Sequence, residues 1–168
     1  MKIDKFLVAV TMSIFLLAGL FNLAYEIYAG LDIDFSLYGL VPAGFLGWAT
    51  FYAKGGGKDA VTSGILANMS GILWGVVIVL IWNHIFSFNL VGAFVAVAVG
   101  AGAMCFQAHL KWFGFIPGAF IGASTFFALG ARIEGDVLFP AIIGLIMGVL
   151  LGYVSEEFAK SIHKKISA

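Results

Sequence analysis

Six continuously apolar stretches run through this chain, over roughly residues 6–25, 35–53, 60–82, 86–108, 112–131 and 138–155. Each approaches the ~20 helical residues needed to cross the hydrocarbon of a bilayer. None alternates polar with apolar, so the pattern predicts helices and not a transmembrane barrel. Only short polar connections separate them: "EIYAGLDID", "KGGGKD", "NH", "HLK" and "RIEGD". Hydrophobic residues make up 62% of the chain and charged residues 11%, against about 45–50% and 25% in soluble domains. An ordinary water-soluble fold is excluded. The expected fold is a single all-α integral membrane domain, residues 1–168, with the lipid bilayer as its first partner.

The first stretch begins with basic residues, as a signal peptide does. Its apolar run of roughly 20 residues exceeds the usual 7–15 and no small-residue cleavage site follows, so it reads as the first span. With the N-terminus inside, the inner segments hold Lys2, Lys5, Lys54, Lys58, Lys111, Lys160, Lys164 and Lys165, and the outer loops hold Arg132. Basic residues are retained on the cytoplasmic side, which predicts cytoplasmic N- and C-termini. The outer loops carry Glu26, Asp32, Asp34, Glu134 and Asp136.

One helix is written twice. Aligning residues 37–53 with 112–128 matches Gly39 with Gly114, Pro42 with Pro117, Phe45 with Phe120 and Gly47 with Gly122. Thr50 then matches Thr125, Phe51 matches Phe126 and Ala53 matches Ala128. Gly71 and Gly75 in the third stretch echo Gly144 and Gly148 in the sixth, while the first and fourth show no clear match. Three spans is an odd number, so the second copy must enter the membrane from the opposite side. The expectation is a 3+3 inverted-topology repeat, about 1–83 and 84–168. Channels and transporters built this way carry their pathway between the halves; duplication kept only because it packs well is the alternative.

At about 100° per residue, Gly39, Ala43, Gly47 and Thr50 share a stripe, as do Gly114, Gly118, Gly122 and Thr125. Small residues let helices approach closely in lipid, so these glycines, with Gly71, Gly75, Gly144 and Gly148, are the expected packing positions. Proline lacks an amide hydrogen and clashes with the carbonyl four residues back. If the helices extend far enough, Pro42 and Pro117 free the carbonyls of Tyr38 and Phe113 for a neighbour, water or a ligand. Pro42, Phe45, Thr50, Phe51, Pro117, Phe120, Thr125 and Phe126 are the candidate pathway residues, with the phenylalanines as constrictions. Asn68 joins them: Gly64, Asn68, Gly71 and Gly75 share a face, and the place of Asn68 in the sixth stretch is taken by Ala141. Asn68 is suited equally to a solute contact and to an interhelical hydrogen bond.

Thr11, Asn22 and Glu26 share a face of the first span with Gly19, and Glu26 reads as a hydrated interfacial carboxylate. Gln107 and His109 approach the inner end of span four. None of the three histidines has a partner spaced for metal binding or acid–base work. Cys105 is alone, so neither a disulfide nor a thiolate metal site is expected. Trp82 and Trp112, more than Trp48 and Trp74, suit interface anchoring. No charged side chain lies between the ends of any span, whereas ion and proton carriers place ionisable groups at depth. "KGGGKD" lacks the spacing and the Ser or Thr of a phosphate loop. With zero formal net charge and no catalytic grouping, neither enzyme activity, cofactor, metal nor nucleic-acid binding is expected.

"GFLGWATFYAKGGGK", "NMSGILWG" and "FIPGAFIGASTFFA" resemble the domain of unknown function 1097 family, the YcdZ-like bacterial inner-membrane proteins. The resemblance covers nearly the whole chain. It implies a compact protein of the bacterial inner membrane, and it carries over no functional residue. Two functions fit the residues: a channel or facilitator for a small neutral solute, with its path between the repeats, or a non-transporting assembly or accessory protein held by glycine seams. Homo-oligomers fit both.

Overall fold

The computed structural model describes residues 4–31 and 36–167 and is helical throughout, with no strand among the described residues. Lys2, Asp32, Asp34 and Phe35, invoked above, lie outside the described residues, as do the chain's two ends. The helices are α1 (Lys5–Ala29), α2 (Leu40–Ala53), α3 (Gly57–Leu80), α4 (Leu90–Phe106), α5 (Ile116–Ala128) and α6 (Gly135–Ser167). A π-helical turn, Ile81–Ile85, prolongs α3, and two short 3-10 turns, Gln107–His109 and Lys111–Phe113, join α4 to α5.

Local chemistry sets the helix starts. The Phe6 amide donates to Asp4 Oδ1 at 2.8 Å and the Gly92 amide to Asn89 Oδ1 at 2.7 Å, the side-chain caps of α1 and α4; such caps satisfy otherwise orphaned amides. Between α2 and α3 the backbone turns through Gly55, Gly56 and Gly57 at φ 102°, 77° and 73°. Only glycine adopts a run of such angles without strain, which is why "KGGGKD" is a tight turn.

Four helical segments among the described residues, α1, α3 with its π turn, α4 with the 3-10 turn that follows it, and α6, are long and apolar enough to cross a membrane. The repeated helix is shorter than its apolar stretch: α2 has 14 residues and α5 has 13, about 20 Å each at 1.5 Å per residue. The prolines explain the loss. Tyr38 and Gly39 are in a turn and Lys111–Phe113 in a 3-10 turn, so Pro42 and Pro117 lie in the first turns of α2 and α5. There the missing N–H is one that the helix could not have used. No kink forms, and the carbonyls of Tyr38 and Phe113 are not opened by proline. The proline inside a helix is instead Pro140, buried near the start of α6, where it deprives the Asp136 carbonyl of its i+4 partner.

Packing divides the helices into two parallel pairs. A methyl group added at Gly148 of α6 would fall on the Gly44 carbonyl of α2, and one at Gly71 of α3 on the Ala119 carbonyl of α5. At Gly47 it would fall on the Leu145 carbonyl, and at Gly122 on the Asn68 carbonyl. Farther along, Gly152 faces Phe51 and Gly75 faces Phe126; in the other direction Gly144 faces Ala43 and Gly118 faces Ala67. Residue numbers rise together in both pairs, so α2 runs parallel to α6 and α5 parallel to α3. Gly57 bonded to Glu156 and Gly64 against Val149 show α3 and α6 antiparallel to each other. The two pairs therefore run in opposite directions.

The long outer helices follow the same rule. Helix α1 lies antiparallel to α6, with Lys5 Nζ donating to the Ile166 carbonyl at 3.1 Å and Phe6 edge-on to His163. Helix α4 lies antiparallel to α3, with Gly100 against Ile78 and Trp74 Nε1 donating to Gln107 Oε1 at 2.9 Å.

Candidate functional site

The closest contacts within each pair set a glycine against the partner's backbone; the core between the pairs is filled by side chains. Ala43, Ile72, Phe126 and Leu145 form a buried apolar cluster between them, and Phe51, Ala60 and Val149 form another. Amid these apolar contacts sits a buried polar bridge. Thr50 of α2 and Asn68 of α3, both fully buried, lie 3.1 Å apart from Oγ1 to Oδ1. Thr50 Oγ1 is also 2.9 Å from the Leu46 carbonyl, and its single proton serves one acceptor at a time. Asn68 Nδ2 has no partner. Turning the carboxamide over would let Nδ2 donate to Thr50 Oγ1 while that hydroxyl donates to the Leu46 carbonyl; in either orientation one polar atom of the buried carboxamide is left without a partner, which costs free energy.

The predicted pathway residues separate into two sets. Thr50, Phe51, Asn68, Thr125 and Phe126 are buried between the helices. Thr125 Oγ1 turns back to the Ile121 carbonyl at 2.8 Å. Pro42, Phe45, Pro117 and Phe120 are exposed on the opposite faces of α2 and α5, with Phe45 and Phe120 about 45% and 40% exposed. They do not line the seam and do not constrict it. Among the glycines, Gly47, Gly71, Gly75, Gly118, Gly122, Gly144 and Gly148 sit at close helix contacts, Gly39 is the left-handed residue before α2, facing the Leu129 side chain, and Gly114 is an exposed turn residue. Asn68 corresponds in its contacts to Leu145 and not to Ala141: each presents its carbonyl to the repeated glycine of a short helix.

Three apolar cavities of about 260, 370 and 400 Å³ and one of mixed lining, about 330 Å³, open at the periphery, and Thr50, Asn68 and Thr125 line none of these four. Thr50, Asn68 and Thr125 are fully buried, so at these residues the seam is closed.

Two further polar clusters were not anticipated from the sequence. Buried Ser155 accepts from Trp48 Nε1 at 3.1 Å, lies 2.8 Å from the Tyr52 hydroxyl, and donates to the Gly152 carbonyl. Gln107 Nε2 donates to Ser70 Oγ at 2.9 Å while its Oε1 receives the Trp74 indole. Buried indole N–H groups need acceptors, and that need was the available signal. Trp48 is thus a core residue; Trp112, exposed with Lys111 over its ring at 5.5 Å, matches the interfacial expectation better. Thr11, Asn22 and Glu26 are exposed on α1. Among the described residues no group of His, Cys, Asp and Glu could hold a metal.

At the end of the molecule where α1 begins and α6 finishes, Glu156 Oε2 accepts from the Gly57 amide at 2.7 Å and Glu156 Oε1 pairs with Lys160 at 2.8 Å. Partial burial pushes the Glu156 carboxyl up, but the Lys160 ammonium and the Gly57 N–H together hold it below the usual carboxylate value. This bond joins α6 of one pair to α3 of the other.

The profile described as "Protein of unknown function (DUF1097)" matches residues 11–160. The uncharacterized protein YahC of Escherichia coli (strain K12) is 30% identical, over 89% of this chain and 88% of its own length. The inner membrane protein YcdZ of the same organism is 29% identical over 73% of this chain and 77% of its own, and that of Salmonella typhimurium 32% over 68% and 69%. No solved structure matches the chain. Two of these relatives are named as inner membrane proteins, the helices here are long and apolar, and the profile spans most of the sequence: the chain belongs to the DUF1097 family of proteins of unknown function.

Proposed function

We propose that this protein is a facilitator for a small neutral solute, built as a 3+3 inverted repeat that crosses the inner membrane six times with both termini in the cytoplasm. The repeat is supported by the two oppositely directed helix pairs, whose glycine contacts correspond one for one. The orientation is supported by Lys5, Lys54, Lys58, Lys160, Lys164 and Lys165 gathering at one end of the bundle, with Arg132 at the other. Solute passage requires the α2/α6 pair to part from the α3/α5 pair. The observation that carries the functional reading is the carboxamide of Asn68, buried beside Thr50 between those pairs with one of its two polar atoms unpartnered. A neutral solute able to hydrogen bond would satisfy it. An ion would meet no charged side chain there, and intramembrane ion sites normally supply one.

Stopped-flow permeability of proteoliposomes to urea, glycerol and ammonia tests this. Wild-type protein should exceed empty liposomes for at least one solute. Asn68→Leu, which installs the residue found at the corresponding contact, should remove that permeability while the protein remains monodisperse. Wild-type permeability equal to empty liposomes for all three would sink the proposal.

Closure of the seam favours a second reading, a non-transporting assembly protein. Gly144 and Gly148 are used inside the chain, so they are not free to hold a partner. Gly19 of α1 and Gly102 of α4 are exposed and would have nothing within 4 Å of an added methyl. On this reading, Gly19→Leu or Gly102→Leu breaks up a stable complex, and permeability stays at background.

A further inference from the structure

A cavity of about 330 Å³ opens between the start of α3 and the later part of α6, lined by Lys58, Val61, Thr62, Leu150 and Tyr153. It lies beside the glycine turn, at the end of the bundle that gathers the lysines. Its lining mixes polar and apolar side chains. Lys58 is in the first turn of α3 and Thr62 one turn farther along, while Val61 and Leu150 are apolar. Tyr153 rests its ring against Phe51 of the core, and its hydroxyl supplies another polar group.

The charge on Lys58 is not neutralised locally. Among the described residues it has no carboxylate at ion-pair distance: Glu156 and Glu157, the acidic residues of α6 near this turn, both pair with Lys160. Glu156 also occupies the Gly57 amide, and Asp59, though adjacent in sequence, does not line the cavity. An exposed ammonium and two hydroxyl-bearing side chains share this recess with the apolar Val61 and Leu150, the two kinds of group that a phospholipid's phosphate and acyl chain require.

We propose that this cavity binds an anionic phospholipid of the surrounding leaflet, with the headgroup phosphate held by Lys58, Thr62 and Tyr153 and the first part of an acyl chain over Val61 and Leu150. Basic residues at the membrane surface attract anionic lipid; here one of them has a shaped recess below it. The apolar part of the lining, Val61 and Leu150, favours a lipid over free phosphate. Neither Thr50 nor Asn68 lines this cavity, so the proposal stands whether or not the protein conducts a solute.

The test is native mass spectrometry of the delipidated full-length protein in detergent, titrated with phosphatidylglycerol or with phosphatidylcholine of the same acyl chains. Wild type should retain phosphatidylglycerol in preference to phosphatidylcholine, and Lys58→Gln should lower that retention about fivefold. Tyr153→Phe should lower it less, and Lys164→Gln, a lysine of the same end outside the cavity, should leave it unchanged. Equal retention of the two lipids by wild type, full retention by Lys58→Gln, or an equal loss in Lys164→Gln would each overturn the proposal. Displacement of bound phosphatidylglycerol by millimolar inorganic phosphate would also overturn it, by assigning the recess to the free anion.

Discussion

A methyl group added at Gly148 would land on the Gly44 carbonyl oxygen, whereas one added at Gly102 would meet nothing within 4 Å. Both residues are glycines in apolar helices, and composition cannot tell them apart. Gly148→Ala should therefore cost about 3 kcal/mol, the upper range for overpacking, because backbone stands in the way and backbone yields little. Gly102→Ala and Gly19→Ala should instead be neutral or gain up to about 1 kcal/mol, as an unneeded helical glycine is removed. Thermal unfolding in detergent micelles checks this, and a Gly148→Ala protein as stable as wild type would contradict the seam. The sequence made the repeated glycines legible but not their register. Gly71 echoes Gly144 in the alignment, yet by contact it corresponds to Gly148. Glycines recur at Gly71 and Gly75 and at Gly144, Gly148 and Gly152, so a slip of one helical turn matches almost as well. Only the helix lying in the groove resolves it.

At the scale of the helix, the sequence located every apolar stretch and misjudged where two of them become helical. Pro42 and Pro117 read as kinks because apolar residues precede them; they are first-turn residues because the chain turns at Gly39 and Gly114. Phe45 and Phe120 were illegible for a different reason. A lipid-facing surface is as apolar as a packed one, so hydrophobicity does not say which face of α2 or α5 is inside. Glu156, invisible as a motif, fastens α6 to the first amide of α3. Its carboxyl sits below the usual value of 4.5, so its contribution is complete above about pH 4.5 and is lost as the pH falls through the lower folded value. Glu156→Gln should cost about 1 kcal/mol at neutral pH, the scale of a lost charge-assisted bond partly replaced by a neutral one. It should also flatten stability between pH 5 and 3 relative to wild type. Faster hydrogen exchange at Gly57 is the local readout, and unchanged exchange would count against the link.

Across the whole molecule, each short helix packs on the last long helix of the opposite half: α2 on α6, and α5 on α3. The outer helices α1 and α4 go to the same destinations. No span assignment reveals this exchange, because it concerns partners and not positions along the chain. The connection between the halves holds Ser87 and Phe88 at φ 46° and 58°, a conformation that costs a non-glycine residue energy. Cutting there should be tolerated. Residues 1–87 and 88–168, expressed together, should copurify as one complex, while either alone should fail to accumulate; a fragment stable alone would show that the halves are self-sufficient. The exchange bears on ancestry too. A half-length forebear could have satisfied every one of these seams as a domain-swapped dimer of two copies inserted in opposite directions, and gene fusion would then have needed to invent only a linker.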